Sequence, residues 1–305
     1  MIELAQVPPW LDGDERWIAS AGGAVRADVT LWWKMTPQYA ARSTGFLGRY
    51  SAGDRDAAAT LLHHAAGRLR ANRCDLAIGP VDGNTWRSYR FAIETDGTPP
   101  FTLEPENPVE WPSDFAAAGF APLAHYRSHR DRDLGVREPR YAHLDRRFSA
   151  LGLSLRNLNM NAYEAEMRAI FILCSASFRQ NLLYSPIEIG EFLEMYARLR
   201  PLVDPRLCIL AEHEGRLAGL AFALEDRRDP SGKNVVIKTV ARLPERRYAG
   251  LGALLTDRIR LAAHEAGYAN AVHALMHESN ASLAISRRFG GPMRRYALLS
   301  RELRT

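Results

Sequence analysis

An α/β (α+β) protein made of two tandem copies of one fold is predicted by three observations. The stretch from Val235 to Arg258 reads as a β-branched strand, a glycine loop and an amphipathic helix. The same order of strand, helix and strand recurs between Gly45 and Gly79. With 305 residues, 47% of them apolar and 25% charged, the chain is long enough for two cores and too balanced for a disordered protein.

In the second half, Val235, Val236, Ile237 and Val240 supply the strand, and Leu251 to Ala263 restores a helical spacing of apolar residues. Between them lies Arg247-Tyr248-Ala249-Gly250-Leu251-Gly252, whose two glycines let the backbone approach a ligand just where a helix begins. Free N–H groups at a helix N-terminus, together with the helix dipole, suit phosphate oxygens, and Arg246 and Arg247 add two cations. The chain lacks G-x-x-x-x-G-K-[ST], and no G-x-G-x-x-G opens a helix after a strand, so P-loop and dinucleotide-fold readings are set aside. Upstream, Cys208 to Glu214 and Leu217 to Leu224 flank a tight turn at Gly215. Downstream come a stop at Gly267, a strand from Asn270 to Met276, a helix opened by Ser279 or Asn280, and a last strand from Tyr296 to Ser300.

This order of elements, with R-x-x-G-x-G after a strand ending Val-Ala-x-x-Pro-Glu, resembles the GNAT (GCN5-related N-acetyltransferase) superfamily over Leu153 to Leu303. The resemblance implies two tandem GNAT-like domains, each a mixed, mostly antiparallel sheet flanked by helices. Residues 1–140 would be a degenerate N-terminal copy and residues 141–305 the acyl-CoA-binding catalytic copy.

In the first half, Leu31-Trp32-Trp33, Gly45 to Tyr50 and Cys74 to Gly79 are strand candidates, and Asp54 caps a helix running to Arg70. Asn107-Pro108 opens a further helix, followed by a strand from Ala121 to Tyr126. Where the second copy has paired glycines, the first has Tyr50-Ser51-Ala52-Gly53-Asp54, which sets a carboxylate at the helix start and repels phosphate. A Gly79-Pro80 loop and Thr98-Pro99-Pro100-Phe101 resemble the N-terminal copy of bacterial two-copy GNAT-like proteins. Trp86, Arg87, Tyr89 and Arg90 in that loop are candidates to line a substrate pocket or to knit the loop onto its domain. Asp131 to Pro139 has the composition of a linker. A long helical region from Ala162 to Leu199, broken near Tyr184-Ser185-Pro186, resembles the family's acceptor-side segment and includes Asn181.

From the resemblance, acetyl-CoA or another acyl-CoA is the co-substrate, and an amine of a small-molecule or peptide-like acceptor attacks the thioester directly. The pyrophosphate would sit on the N–H groups of Tyr248, Ala249, Gly250, Leu251 and Gly252, beside Arg246 or Arg247. Val240 and Arg242 would pair with the pantetheine, and Asn280 would reach its arm. The tyrosine that the superfamily often has seven residues after that asparagine is replaced by Arg287, which leaves Tyr184, Tyr296 or solvent to protonate the thiolate. For the base, Glu212, His213, Glu225, His273 and His277 are candidates, with His277 and Glu225 ahead because both lie at strand ends.

The formal charge of +5 is carried almost wholly by arginine, since Lys34, Lys233 and Lys238 are the only lysines. No dense basic run interleaved with aromatics argues for nucleic acid. Cys74, Cys174 and Cys208 show neither disulfide nor zinc spacing, so a reducing, cytoplasmic setting with no metal is expected. No apolar run of membrane-spanning length is present. A homodimer is among the assemblies the sequence allows. Two other functions compete: a non-catalytic acyl-CoA-binding scaffold, and a two-copy aminoacyl-tRNA-dependent ligase.

Overall fold

Strands from both halves of the chain join in one 13-stranded sheet in a computed structural model that describes residues 1–10 and 12–303. The first half supplies β1 (Ile2–Val7), β2 (Glu15–Ala21), β3 (Ala24–Trp32), β4 (Thr44–Ala52), α1 (Arg55–Ala71), β5 (Leu76–Gly79), β6 (Phe91–Thr95), α2 (Glu110–Ala117) and β7 (Ala121–Asp131). The second supplies α3 (Arg140–Ala150), β8 (Ser154–Asn157), α4 (Tyr163–Phe178), α5 (Ile189–Leu199), β9 (Cys208–His213), β10 (Arg216–Glu225), β11 (Asn234–Arg242), α6 (Leu251–Glu265), β12 (Asn270–His277), α7 (Ala281–Ser286) and β13 (Gly290–Glu302).

Local chemistry explains much of this order. The β9–β10 hairpin turns through Glu214 and Gly215, both at positive φ, which matches the twist of the flanking strands. Asp54 accepts a hydrogen bond from the Ala57 N–H at 2.8 Å and starts α1, whose Leu61, Leu62, Ala65 and Leu69 are buried against the sheet. Asn107 does not open α2, which begins at Glu110; its side chain instead accepts from the Ala92 N–H and so holds β6. The N-terminal strands β1 and β2, too polar to stand out by period, add the outer edge of the first copy.

The sheet order is β1-β2-β3-β4-β5-β13-β7-β12-β11-β10-β9-β8, with β6 pairing β13. Only β4–β5 and β11–β12 are parallel, and the pattern reads alike from either end. Two copies of β-β-β-β-α-β-α-β, the first with β6 added and the second with α4 and α5 inserted after its first strand, are therefore related about the middle of the sheet. The unexpected feature is an exchange of last strands: β7, from the first half, pairs β12, while β13, from the second, pairs β5. Cutting at residue 140 would break both ladders.

The segment read as a linker, residues 131–139, is a packed part of this joint. Fully buried Arg260 on α6 bonds the Asp131 carboxylate and the carbonyls of Asp133 (2.8 Å) and Val136 (2.9 Å), and Leu134 is buried. A buried guanidinium needs such partners, and here they come from the end of β7. Glycine and proline produced a linker composition because the backbone must turn repeatedly around that guanidinium. Among the described residues no helix is long and apolar enough to cross a membrane, and no group of three His, Cys, Asp or Glu could hold a metal.

Candidate active site

The β11–β12 ladder runs from Asn234↔Asn270 to Ile237↔His273 and then stops. Beyond it β11 continues along β10 and β12 along β7, so a wedge opens between two parallel strands near the middle of the sheet. A register shift opposite Phe222 and Ala223 places a bulge at Lys238 in β11, at the mouth of the wedge. Leu243 donates its N–H to Ala218 at 2.9 Å, so the alternate residues Val240 and Arg242 turn their backbone groups toward the gap. The Arg242 N–H is taken by Ser177 Oγ of α4 at 3.2 Å and its guanidinium by the Leu243 carbonyl. Of the two strand positions expected to pair with a pantetheine, Val240 is thus the open one.

The glycine loop closes the wedge on the α6 side. Gly250 adopts φ 88°, a region that excludes ordinary side chains, and leads into α6. Among the described residues the N–H groups of Gly250, Leu251 and Gly252 meet no protein acceptor. Those of Tyr248 and Ala249 do, donating to Glu245 and Arg246 carbonyls at 3.0 Å, so the expected five-donor cradle is reduced to three. Tyr248 is an anchor: its ring is fully buried and its hydroxyl bonds His213 Nδ1 at 2.8 Å. Arg247 pairs with Glu214 at 3.2 Å, whereas Arg246 has no ion-pair partner among the described residues. From α3, Arg147 bonds the carbonyls of Arg247 and Ala249, bracing the loop from its carbonyl side; sequence patterns carried no sign of this role. Asn280 is the N-cap of α7, accepting from the Ser282 N–H at 3.5 Å, and lies exposed.

In the first copy the matching wedge between β4 and β5 is filled by the chain itself. Val81 donates to the Leu47 carbonyl at 2.8 Å, the Arg49 N–H donates to Asp82 at 2.6 Å, and a Cβ on Gly48 would lie 2.1 Å from the Val81 carbonyl oxygen. No room for a cofactor remains there.

The face of the wedge opposite α6 carries the titratable groups. Arg90, 8% exposed and at φ 72°, lies over the rings of Tyr89 (3.7 Å) and Tyr126 (4.2 Å). Tyr126 meets the His277 ring edge-on at 5.0 Å. Burial, and after it the positive charge of Arg90, push the Lys238 ammonium down to about 8. The same two causes lower His277, with Glu278 opposing, so its imidazole is neutral at pH 7. His277 Nδ1 accepts from the Ser279 N–H at 3.1 Å, which leaves the proton of the neutral ring on Nε2. As placed, His277 is a donor to the site and a poor base. Burial also raises Tyr126 above its ordinary value, keeping it a phenol.

Other sequence candidates lie elsewhere. Glu225 sits opposite Val235, before the wedge opens and about 16 Å of strand from Val240. Its exposed carboxylate is at the wrong end of β11 for catalysis. Glu212 is tied to Arg156 at 2.7 Å, and Tyr296 is buried between Glu104 and Ser128. His273 is buried beside Asp131. Trp86 donates to the Ser185 carbonyl and packs on Phe178, Tyr184 and Phe192, which also fixes Tyr184 as a packing ring. Arg87 is committed to Glu191 and Asp12. These side chains bind the first-copy loop to α5, so of the predicted substrate residues Tyr89 and Arg90 remain to face the wedge. Asn181 is exposed in the turn after α4. Lys238 and Tyr126 were missed; the signal for Lys238 was a rare lysine between Ile237 and Thr239 in an apolar strand. Burial pushes the thiols of Cys174 and Cys208 up to about 12, so neither is a nucleophile near neutrality.

No family model matches the sequence. The chain is 24% identical over 193 residues, 63% of its length, to a bacterial ceramide synthase of Caulobacter vibrioides, and it spans about half (50%) of that relative. Among solved structures, a GCN5-related N-acetyltransferase from Sphaerobacter thermophilus aligns with a TM-score of 0.55 at 15% identity, covering 97% of this chain and 83% of the other. One from Anabaena variabilis aligns with 0.53 at 10% identity, covering 95% and 63%. A GCN5-related glucosamine N-acetyltransferase region of a fungal multi-domain β-N-acetylglucosaminidase aligns with 0.56 at 13% identity, covering 94% of this chain and 33% of that one. These alignments show that the chain has the fold of the GCN5-related N-acetyltransferases, with the splayed parallel strands, the bulge and the glycine loop described above.

Proposed function

We propose that the chain is an acyl-CoA-dependent N-acyltransferase working from its second copy. The observation that carries this reading is the set of three unpartnered N–H groups at Gly250, Leu251 and Gly252, at the positive end of a 15-residue helix beside an open strand wedge. A pyrophosphate satisfies those donors, Arg246 adds charge, and an extended pantetheine can pair with Val240 as a further strand would. The thioester then lies near the Lys238 bulge.

An acceptor amine approaches from the face lined by Tyr89, Arg90, Tyr126 and His277. It must lose a proton to attack, and the local positive charge favours its neutral form. Lys238 is the group there that changes charge near neutral pH, and its neutral form takes the proton. The amine nitrogen bonds to the acyl carbon, the C–S bond breaks, and the proton that the nitrogen sheds on becoming an amide passes to the thiolate, to which the neutral His277 would donate a hydrogen bond from Nε2–H. Acetyl is the first acyl group to test. A longer chain is the second reading, favoured by the ceramide synthase likeness. Release of free CoA thiol from a panel of acyl-CoAs and amines tests the proposal. Binding without thiol release by any amine would favour a scaffold.

A further inference from the structure

We infer that the acceptor carries an anionic group, a carboxylate or a phosphate, which docks on Arg90 between Tyr89 and Tyr126. This rests on the acyl-transfer reading for the word acceptor, but the binding site stands on its own geometry.

Other deeply buried arginines of the molecule each meet a carboxylate: Arg260 pairs with Asp131, and Arg294 with Asp96 and Glu104. Arg90 is buried almost as deeply and meets none among the described residues. Its protein bonds are a 3.2 Å contact to its neighbour's carbonyl at Tyr89 and a long 3.4 Å contact to the Leu275 carbonyl. A guanidinium has five donors, so Arg90 retains capacity for a bidentate acid. Two tyrosine faces hold its plane, and residue 90 keeps a left-handed backbone that an arginine adopts only when its surroundings impose it.

Lys238 and His277 both feel Arg90 as a positive neighbour, and no ion pair of Lys238 is found among the described residues. An uncompensated buried cation is costly, and a ligand anion is the partner that removes the cost. Arg90 belongs to the first-copy loop, so such an anion would bring the first copy into a site whose glycine loop lies in the second.

Calorimetric titration of the full chain, with and without saturating CoA, compares β-alanine with β-alaninamide and O-phosphoethanolamine with ethanolamine. At least one acidic probe should bind about tenfold or more tighter than its neutral counterpart. In Arg90→Gln that ratio should fall to about one while CoA affinity holds, since a charge-assisted bond is lost and a neutral one retained. The arm that responds identifies carboxylate or phosphate. Equal binding of acid and neutral probe to the wild-type chain, or no binding of either acid, overturns the inference without recourse to any variant. A preference that survives in Arg90→Gln overturns the assignment to Arg90. Acid preference without thiol release from acyl-CoA contradicts the transferase reading alone, whereas thiol release from neutral amines as fast as from acidic ones contradicts the anionic acceptor alone.

Discussion

Lys238 shows how one residue can be prominent in sequence and still have no function until the fold surrounds it. In the strand it is only a charge in a β-branched run; in the structure it occupies the bulge where β11 leaves β12, with Arg90 as a positive neighbour. Its ammonium titrates at about 8, so its neutral form accumulates above that pH and protonated lysine predominates below. Acyl transfer should therefore rise with pH through about 8. In Lys238→Met that limb should disappear for the same acceptor, with acyl-CoA affinity unchanged, as read from pH–rate profiles and direct titration. An unchanged profile would remove Lys238 from proton transfer. Glu225 teaches the reverse lesson: a carboxylate at a strand end looked catalytic until the register placed it at the closed end of the wedge.

At the scale of elements, the strand-loop-helix unit of β11 and α6 was legible because its signals are local: β-branched residues, a glycine at positive φ, and an apolar stripe. How many loop amides stay free was not, since that depends on turns closed by Glu245 and Arg246 carbonyls. Gly252 tests the loop better than Gly250, whose φ of 88° strains any replacement. A Cβ at Gly252 meets only Val240 at 3.7 Å. Gly252→Asp puts a carboxylate where α6 tolerates it and where phosphate cannot. Acyl-CoA affinity should fall by about 100-fold or more with melting temperature held or slightly raised, since the added carboxylate repels phosphate and competes with it for the helix N-terminus. Titration and thermal unfolding of the variant would read both.

For the whole molecule, two tandem copies were visible in the repeated element order, but the exchange of β7 and β13 was not. Pairing between residues far apart in sequence leaves no periodic trace, and the composition of residues 131–139 suggested a flexible tether. The buried pair of Arg260 and Asp131 holds that crossing. Asp131→Leu would leave a buried guanidinium uncompensated, at a cost of about 3–5 kcal/mol in unfolding free energy. Denaturant titration should show that loss in one cooperative transition. Separate unfolding of two halves would contradict the shared sheet.

His129 in β7 makes a second whole-molecule prediction. It is buried at this joint, near Ser286, and burial, followed by the charges of His273 and Arg287, depresses it to about 4. Between pH 6.5 and about 4 the unfolded chain binds a proton there and the folded chain does not. Stability should therefore fall as pH drops through that window, by about 3 kcal/mol in total from this group. His129→Gln should flatten this part of the stability profile.

The central claim is that the second copy holds acyl-CoA at Gly250, Leu251 and Gly252 while the first copy holds none. Calorimetric titration of the full chain with acetyl-CoA and a longer acyl-CoA tests it most directly. One equivalent per chain should bind, and Gly252→Asp should abolish it. No binding by either compound, or two equivalents, or binding that Gly252→Asp leaves intact, would contradict the account.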